Sequence, residues 1–189
     1  MQPDVAVNPA RIDRARDALP DGYEVSSYTG PPAPFVLWGF RDLPVSDPAQ
    51  CAVLAAPSVD AATAKGWSAS GPGGIVYAVV ADGASGPPGP ALLAECGQWT
   101  AVSGRTTGTV TGLPGPAIDA AETVGMSTSA VTLVEGGTET RSQTATFVAH
   151  LGRYLCFVAI VTDPGSPLPA LGPGFASDLL AETVTTLRG

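Results

Sequence analysis

The stretch SAVTLVEGGTETRSQTATFVAHLGRYLCFVAIVTDPG, residues 129–165, decides the fold. It reads as a three-stranded antiparallel meander, with Gly136–Gly137 making the first turn and Leu151–Gly152 the second. The middle strand is polar in its first half, which puts that half on an exposed face. The third strand, YLCFVAIV at 154–161, is apolar on both faces. A strand of that kind belongs near the centre of a sheet, under a covering helix.

The cover follows in the chain. After a loop containing Pro164, Pro167 and Pro169, the segment GPGFASDLLAETVTTLRG (172–189) has helical periodicity. Phe175, Leu179, Leu180, Val184 and Leu187 form an apolar stripe, Asp178 and Glu182 lie outside it, and Arg188 stands at the C-terminal end. At the other end of the chain, PARIDRARDAL (9–19) reads as a short amphipathic helix stopped by Pro20, Asp21 and Gly22.

Between these ends the elements are short. YEVSSY (23–28) alternates as a strand, and PFVLWGF (34–40) reads as a second strand or a packed loop. DPAQCAVLAAP (47–57) reads as a helix with Asp47 as N-cap, Pro48 at the first helical position and Pro57 at its end. GPGGIVYAVVADG (71–83) is loop, strand and turn, and GPALLAEC (89–96) is another short helix. WTAVSG and RTTGTVTGL are rich in β-branched residues and predict an antiparallel pair turning at Ser103–Arg105. The expected fold is a single α+β domain over 1–189, a mostly antiparallel sheet of five to six strands covered by N- and C-terminal helices. Residues 1–8 are expected to be flexible, the remnant of a linker after an export or lipidation signal.

Composition narrows the function classes. The chain is 44% apolar, so it can bury a core, and only 14% charged, well below the usual quarter. Seventeen acidic residues against nine basic ones leave a net charge of −8. Nucleic-acid affinity draws on clustered basic groups, and here only Arg11, Arg14 and Arg16 cluster, interleaved with Asp13 and Asp17. No nucleic-acid partner is expected. No run approaches the roughly 18–20 apolar residues that cross a bilayer. The opening MQPDVAVNPARID lacks the basic start, apolar middle and cleavage site of a signal peptide. At face value that reads as cytosolic. The other reading places Met1 ahead of a mature segment whose export signal is gone.

Catalytic chemistry finds few residues. His150 is the one histidine, and three widely spaced cysteines offer no metal-ligand spacing, so no metal or cofactor is expected. SGPGG (70–74) precedes a strand, whereas phosphate-binding loops follow one. GWSAS (66–70) comes within one residue of a nucleophile elbow, which would make Ser68 a nucleophile with His150 as base. The competing reading makes His150 a surface-turn residue. Cys156, centred in the most apolar strand, reads as an inert packed thiol. Trp38, Trp67 and Trp99, with Phe35, Phe40 and Tyr77, supply aromatic surface for a cleft or for the core. Trp38 and Trp67 are the candidate ligand-binding residues.

Cys51 and Cys96 sit on short helices flanking the 73–81 strand, where they are well placed to pair; three free thiols is the alternative. A disulfide closing about 46 residues would stabilise by roughly 4 kcal/mol on the chain-entropy model. DPAQCAVLAAP, LLAECGQWTAVSG, TETRSQTATFVAHLGRYLCFVAIVTDPG and LLAETVTTLRG together resemble a mycobacterial envelope lipoprotein family of unknown function. More distantly they are similar to the extracellular sensor domains of mycobacterial serine/threonine kinases, from about residue 20 to the end. This chain departs from those sensors in lacking a second cysteine pair. The resemblance implies export, lipid anchoring through a cysteine outside these residues, a Cys51–Cys96 disulfide and a Mog1/PsbP-like or kinase-sensor-like sandwich. It brings no assigned activity and no functional residues.

The reading is therefore a non-enzymatic, exported cell-envelope domain that binds a small ligand, a lipid or an envelope protein. Its contact with the membrane is through the anchor alone. A carrier of apolar lipids and a Ser68–His150 hydrolase are the alternatives.

Overall fold

The computed structural model describes residues 5–83 and 85–189. Its nucleus is the meander: β7 (Glu122–Leu133), β8 (Glu139–Leu151) and β9 (Tyr154–Thr162). Gly136, Gly137 and Gly152 take positive φ values in the two turns, the conformation for which glycine carries no Cβ penalty. β9 is buried from Leu155 to Ile160 on both faces, as its continuous apolar run requires.

The described residues form nine strands in one antiparallel sheet, against the five to six expected. The others are β1 (Glu24–Ser27), β2 (Val45–Asp47), β3 (Val59–Gly71), β4 (Gly74–Gly83), β5 (Gln98–Ser103) and β6 (Thr106–Leu113). Their order is β1-β3-β4-β9-β8-β7-β6-β5-β2. The largest correction is β3. Its VDAATAKGWSASG is built from small and polar residues of low strand propensity, and it is held by pairing with β4 on one side and β1 on the other. β2 is not legible in the sequence because three residues at an edge carry no periodicity.

Each face has its own core. On one, α3 (Pro173–Arg188) and a 3₁₀-helix (Pro9–Ala18) cover Trp67, Ala78, Val80, Phe147, Val158 and their neighbours. Leu179, Leu180, Val184 and Leu187 are buried as the stripe predicted, while Phe175 is partly buried. Of the N-terminal stretch 1–8, residues 1–4 lie outside those described. Val7 packs against this core, and the Asn8 amide donates to the Leu187 carbonyl at 2.8 Å.

The opposite face is covered by three short pieces: α1 (Pro34–Leu37), a second 3₁₀-helix (Ala49–Leu54) and α2 (Pro90–Glu95). PFVLWGF is thus one helical turn, Pro34–Leu37, followed by a packed turn over Trp38–Phe40. Gly39, at φ +95°, ends α1 with amides of Gly39 and Phe40 donating to the carbonyls of Val36 and Phe35 at 3.3 and 3.2 Å. That reversal sends Trp38 and Phe40 into the core on either side of it. The 47–57 segment is also corrected. Asp47 closes β2 instead of capping a helix, the Asp47–Pro48 peptide is cis, and the helix is a 3₁₀ turn without a side-chain cap.

Phe40 rests on Gly108 of β6, where an added Cβ would lie 2.9 Å from the ring's Cζ. Valine suits a strand better than glycine, yet Gly108→Val should lower stability by about 1–3 kcal/mol through overpacking. Gly112→Val on the same strand meets nothing nearer than 3.7 Å. It should change stability by no more than about 0.5 kcal/mol, as surface substitutions do. Urea unfolding monitored by tryptophan fluorescence compares the two.

Candidate functional site

Cys51 and Cys96 are bonded, with the sulfurs 2.05 Å apart and the Cα atoms 5.6 Å apart. The bond is buried and joins the second 3₁₀-helix to the end of α2. A hydrogen bond from Gln50 Nε2 to Glu95 Oε2 at 3.0 Å ties the same two segments at the surface. Each helix is only six residues long, too short to persist in water unaided. The disulfide makes them one roof. Cys156, the third cysteine, is free in β9, where burial pushes its thiol up to about 12 and keeps it unreactive.

Beneath that roof lies a cavity of about 110 Å³. The roof contributes Val53, Leu54 and Leu92, and Pro57, Ser85, Gly86 and Pro88 line it at the side. The floor is sheet. Strand alternation puts Glu122 and Val124 of β7 on the same face as Val148 and His150 of β8. Val124 faces Val148 and Glu122 faces His150 across β7 and β8, and Leu155 pairs with His150 from β9. Val124, Val148, His150 and Leu155 line the cavity, and exposed Glu122 stands beside His150 on the same face.

His150 is therefore a strand residue, outside the hairpin turn and only partly exposed. It is the penultimate residue of β8, half-buried, with an apolar lining around it. Burial holds its pKa below the ordinary histidine value, and the nearby Glu122 carboxylate opposes that shift only in part. The imidazole is neutral at physiological pH, with one nitrogen to donate and one to accept.

The other candidate residues fall elsewhere. Trp67 belongs to the core under α3, and its indole donates to the Ile12 carbonyl at 3.0 Å. Trp38 belongs to the opposite core and donates to Thr146 Oγ1 at 2.9 Å. Phe35 packs edge-on against Trp38, Phe40 and Trp99, with centroids 5.5, 5.7 and 5.9 Å apart. Both candidate tryptophans are 1% exposed and on opposite faces of the sheet, so they do not share a cleft.

Ser68 lies on β3 opposite Tyr77, with no helix behind it. From the pairings, His150 is three strands away and four residues further along, about 20 Å. The two are not brought together. Among the described residues no group of three or more His, Cys, Asp or Glu could hold a metal ion. None of their helices is long and apolar enough to cross a membrane.

With this geometry, comparison with known proteins places the chain. It belongs to the DUF5642 family, a domain of unknown function whose model matches residues 8–188. Among solved structures it is similar to the X-ray structure of an uncharacterised protein of Mycobacterium smegmatis, an ortholog of Rv0999. The TM-score is 0.68 at 20% identity, covering 99% of each chain, which establishes a shared fold. No curated protein matches the chain.

Two outcomes follow for the site. Replacing both Cys51 and Cys96 by Ala should cost about 4 kcal/mol of stability, the loop-closure entropy of a long loop, read from urea unfolding of oxidised wild type and the variant. His150 should titrate below the ordinary histidine value by imidazole NMR. The unfolded chain then binds the proton more readily, so this site's stability is full above the ordinary value and lost as pH falls. On acidification the wild type should lose more stability than His150→Gln does.

Proposed function

We propose that this member of the DUF5642 family is an exported, non-enzymatic binding module of the cell envelope. It takes the apolar part of a small ligand into the cavity under the disulfide-tied roof. The observation that carries this reading is the cavity itself: an apolar lining with one neutral imidazole, the usual composition of a ligand site. Export draws support from the buried Cys51–Cys96 bond, since structural disulfides persist in oxidising compartments. Lipid anchoring, and kinship in outline with Mog1/PsbP-like folds and kinase sensor domains, rest on the sequence resemblance. A sheet carrying helices on its faces is compatible with them.

Size bears on the choice among ligands. A void of about 150 Å³ lined by aliphatic side chains holds benzene, whereas drug- and lipid-sized ligands occupy roughly 300 Å³ or more. At about 110 Å³ this cavity suits a ring or a short chain end and is too small for a whole lipid. The separation of Ser68 from His150 favours binding over hydrolysis by that pair. Nine basic residues against seventeen acidic ones favour a partner other than nucleic acid.

Unreduced protein recovered from its native envelope should carry an extra mass in the native spectrum that denaturation removes. Alkylation under denaturing conditions should label one cysteine, Cys156. The roof variant Leu92→Trp, which fills the cavity, should keep the single label and lose the extra mass. Three labels on the native protein would overturn export, and an extra mass retained by Leu92→Trp would overturn the site.

A further inference from the structure

The charges around the cavity discriminate among small ligands. The ionised group on the floor is Glu122, directly opposite His150 on the same sheet face. The ionised group on the roof is Glu95, on α2 and held by Gln50. Both are acidic. None of the nine basic residues lines the cavity. A ligand with a carboxylate or phosphate end would bring that charge against Glu122 with no cation to receive it. Directly opposed side chains stand roughly 5 Å apart at Cβ, and like charges at such range repel even near a surface.

The imidazole does not offset this. It is half-buried beside Val124, Val148 and Leu155, an apolar setting that disfavours a charge on the ring. What it offers is a hydrogen bond to an uncharged or donating group. Glu122 at the rim would add attraction for a cation.

We infer that the cavity selects ligands whose buried part is a short apolar chain or small ring and whose polar end carries no negative charge, an alcohol or amine in preference to a carboxylate. Glu122 supplies the rejection and His150 the hydrogen bond. This inference rests on the binding reading above and adds the sign of the ligand.

One histidine in the chain makes the test direct, because its imidazole gives a single set of NMR signals. The probes are 1-hexanol, hexylammonium and hexanoate, which share a chain and differ in the end group. They are titrated at neutral pH and constant ionic strength into oxidised wild type and Glu122→Gln. Hexanol and hexylammonium should shift the His150 resonances saturably, with hexanoate weaker than hexanol by about tenfold or more, the scale of an uncompensated like-charge contact. Glu122→Gln, at an exposed position, should narrow that gap severalfold by strengthening hexanoate. If hexanoate binds the wild type as well as hexanol does, the charge selection is wrong while the cavity remains a binding site. If none of the three moves the resonances, the binding reading and this inference fail together.

Discussion

β9 has no face for water. Leu155 to Ile160 point alternately into two different cores, so each side of the sheet centre must be covered before this strand can be buried. The rest of the structure meets that requirement. One cover is a sixteen-residue helix with a continuous apolar stripe, α3, backed by the 3₁₀-helix at 9–18. Amphipathic periodicity and length suffice there, because a helix of that size gains most of its stability from the face it buries.

The second cover is assembled from fragments. α1, α2 and the 3₁₀-helix at 49–54 span four to six residues each, and no side-chain cap bond holds any of them. Two different devices replace helix length. Around α1 it is aromatic packing, with Phe35 edge-on to three rings and Trp38 tied to Thr146 of β8. Between the other two it is the disulfide. A covalent tie holds two segments at a fixed spacing without needing them to fill the space beneath, which a packed helix would do. The cavity lies under the tied pair. Its location thus follows from the way that cover is held together.

This division explains what could be read from residues alone. The meander, α3, the 89–96 helix and the β5–β6 pair each announce themselves within a short window, through periodicity or turn chemistry. β3 does not, because Ser68, Ala69 and Ser70 say nothing about strand until β4 and β1 lie beside them. α1 was hidden for a related reason: PFVLWGF is apolar throughout and has no period, and its helical turn is imposed by Gly39 and the packing of the rings that follow. The cysteine pair was visible because two elements of similar kind flanked one strand. The cavity was not, since its lining comes from residues 53 to 155 and converges only through strand order. The signal that points to it is small. His150 is followed by Leu151–Gly152, and moving the corner one residue later turns it from a turn residue into the end of a strand, facing the side Val148 faces.

That shift of one position also accounts for the chemistry. In a strand, a single step exchanges one face for the other. Ala149 and Leu151 belong to the core under α3, while Val148 and His150 turn to the side covered by fragments. Had the imidazole fallen on the α3 side, it would sit in a closely packed interior with no space for a second molecule. On the side where it does fall, the covering pieces leave a gap, and the charge in register with it is a carboxylate on β7. A neutral ring, an apolar void and an acidic rim are therefore consequences of one register, set by two glycine turns and held by the burial of β9.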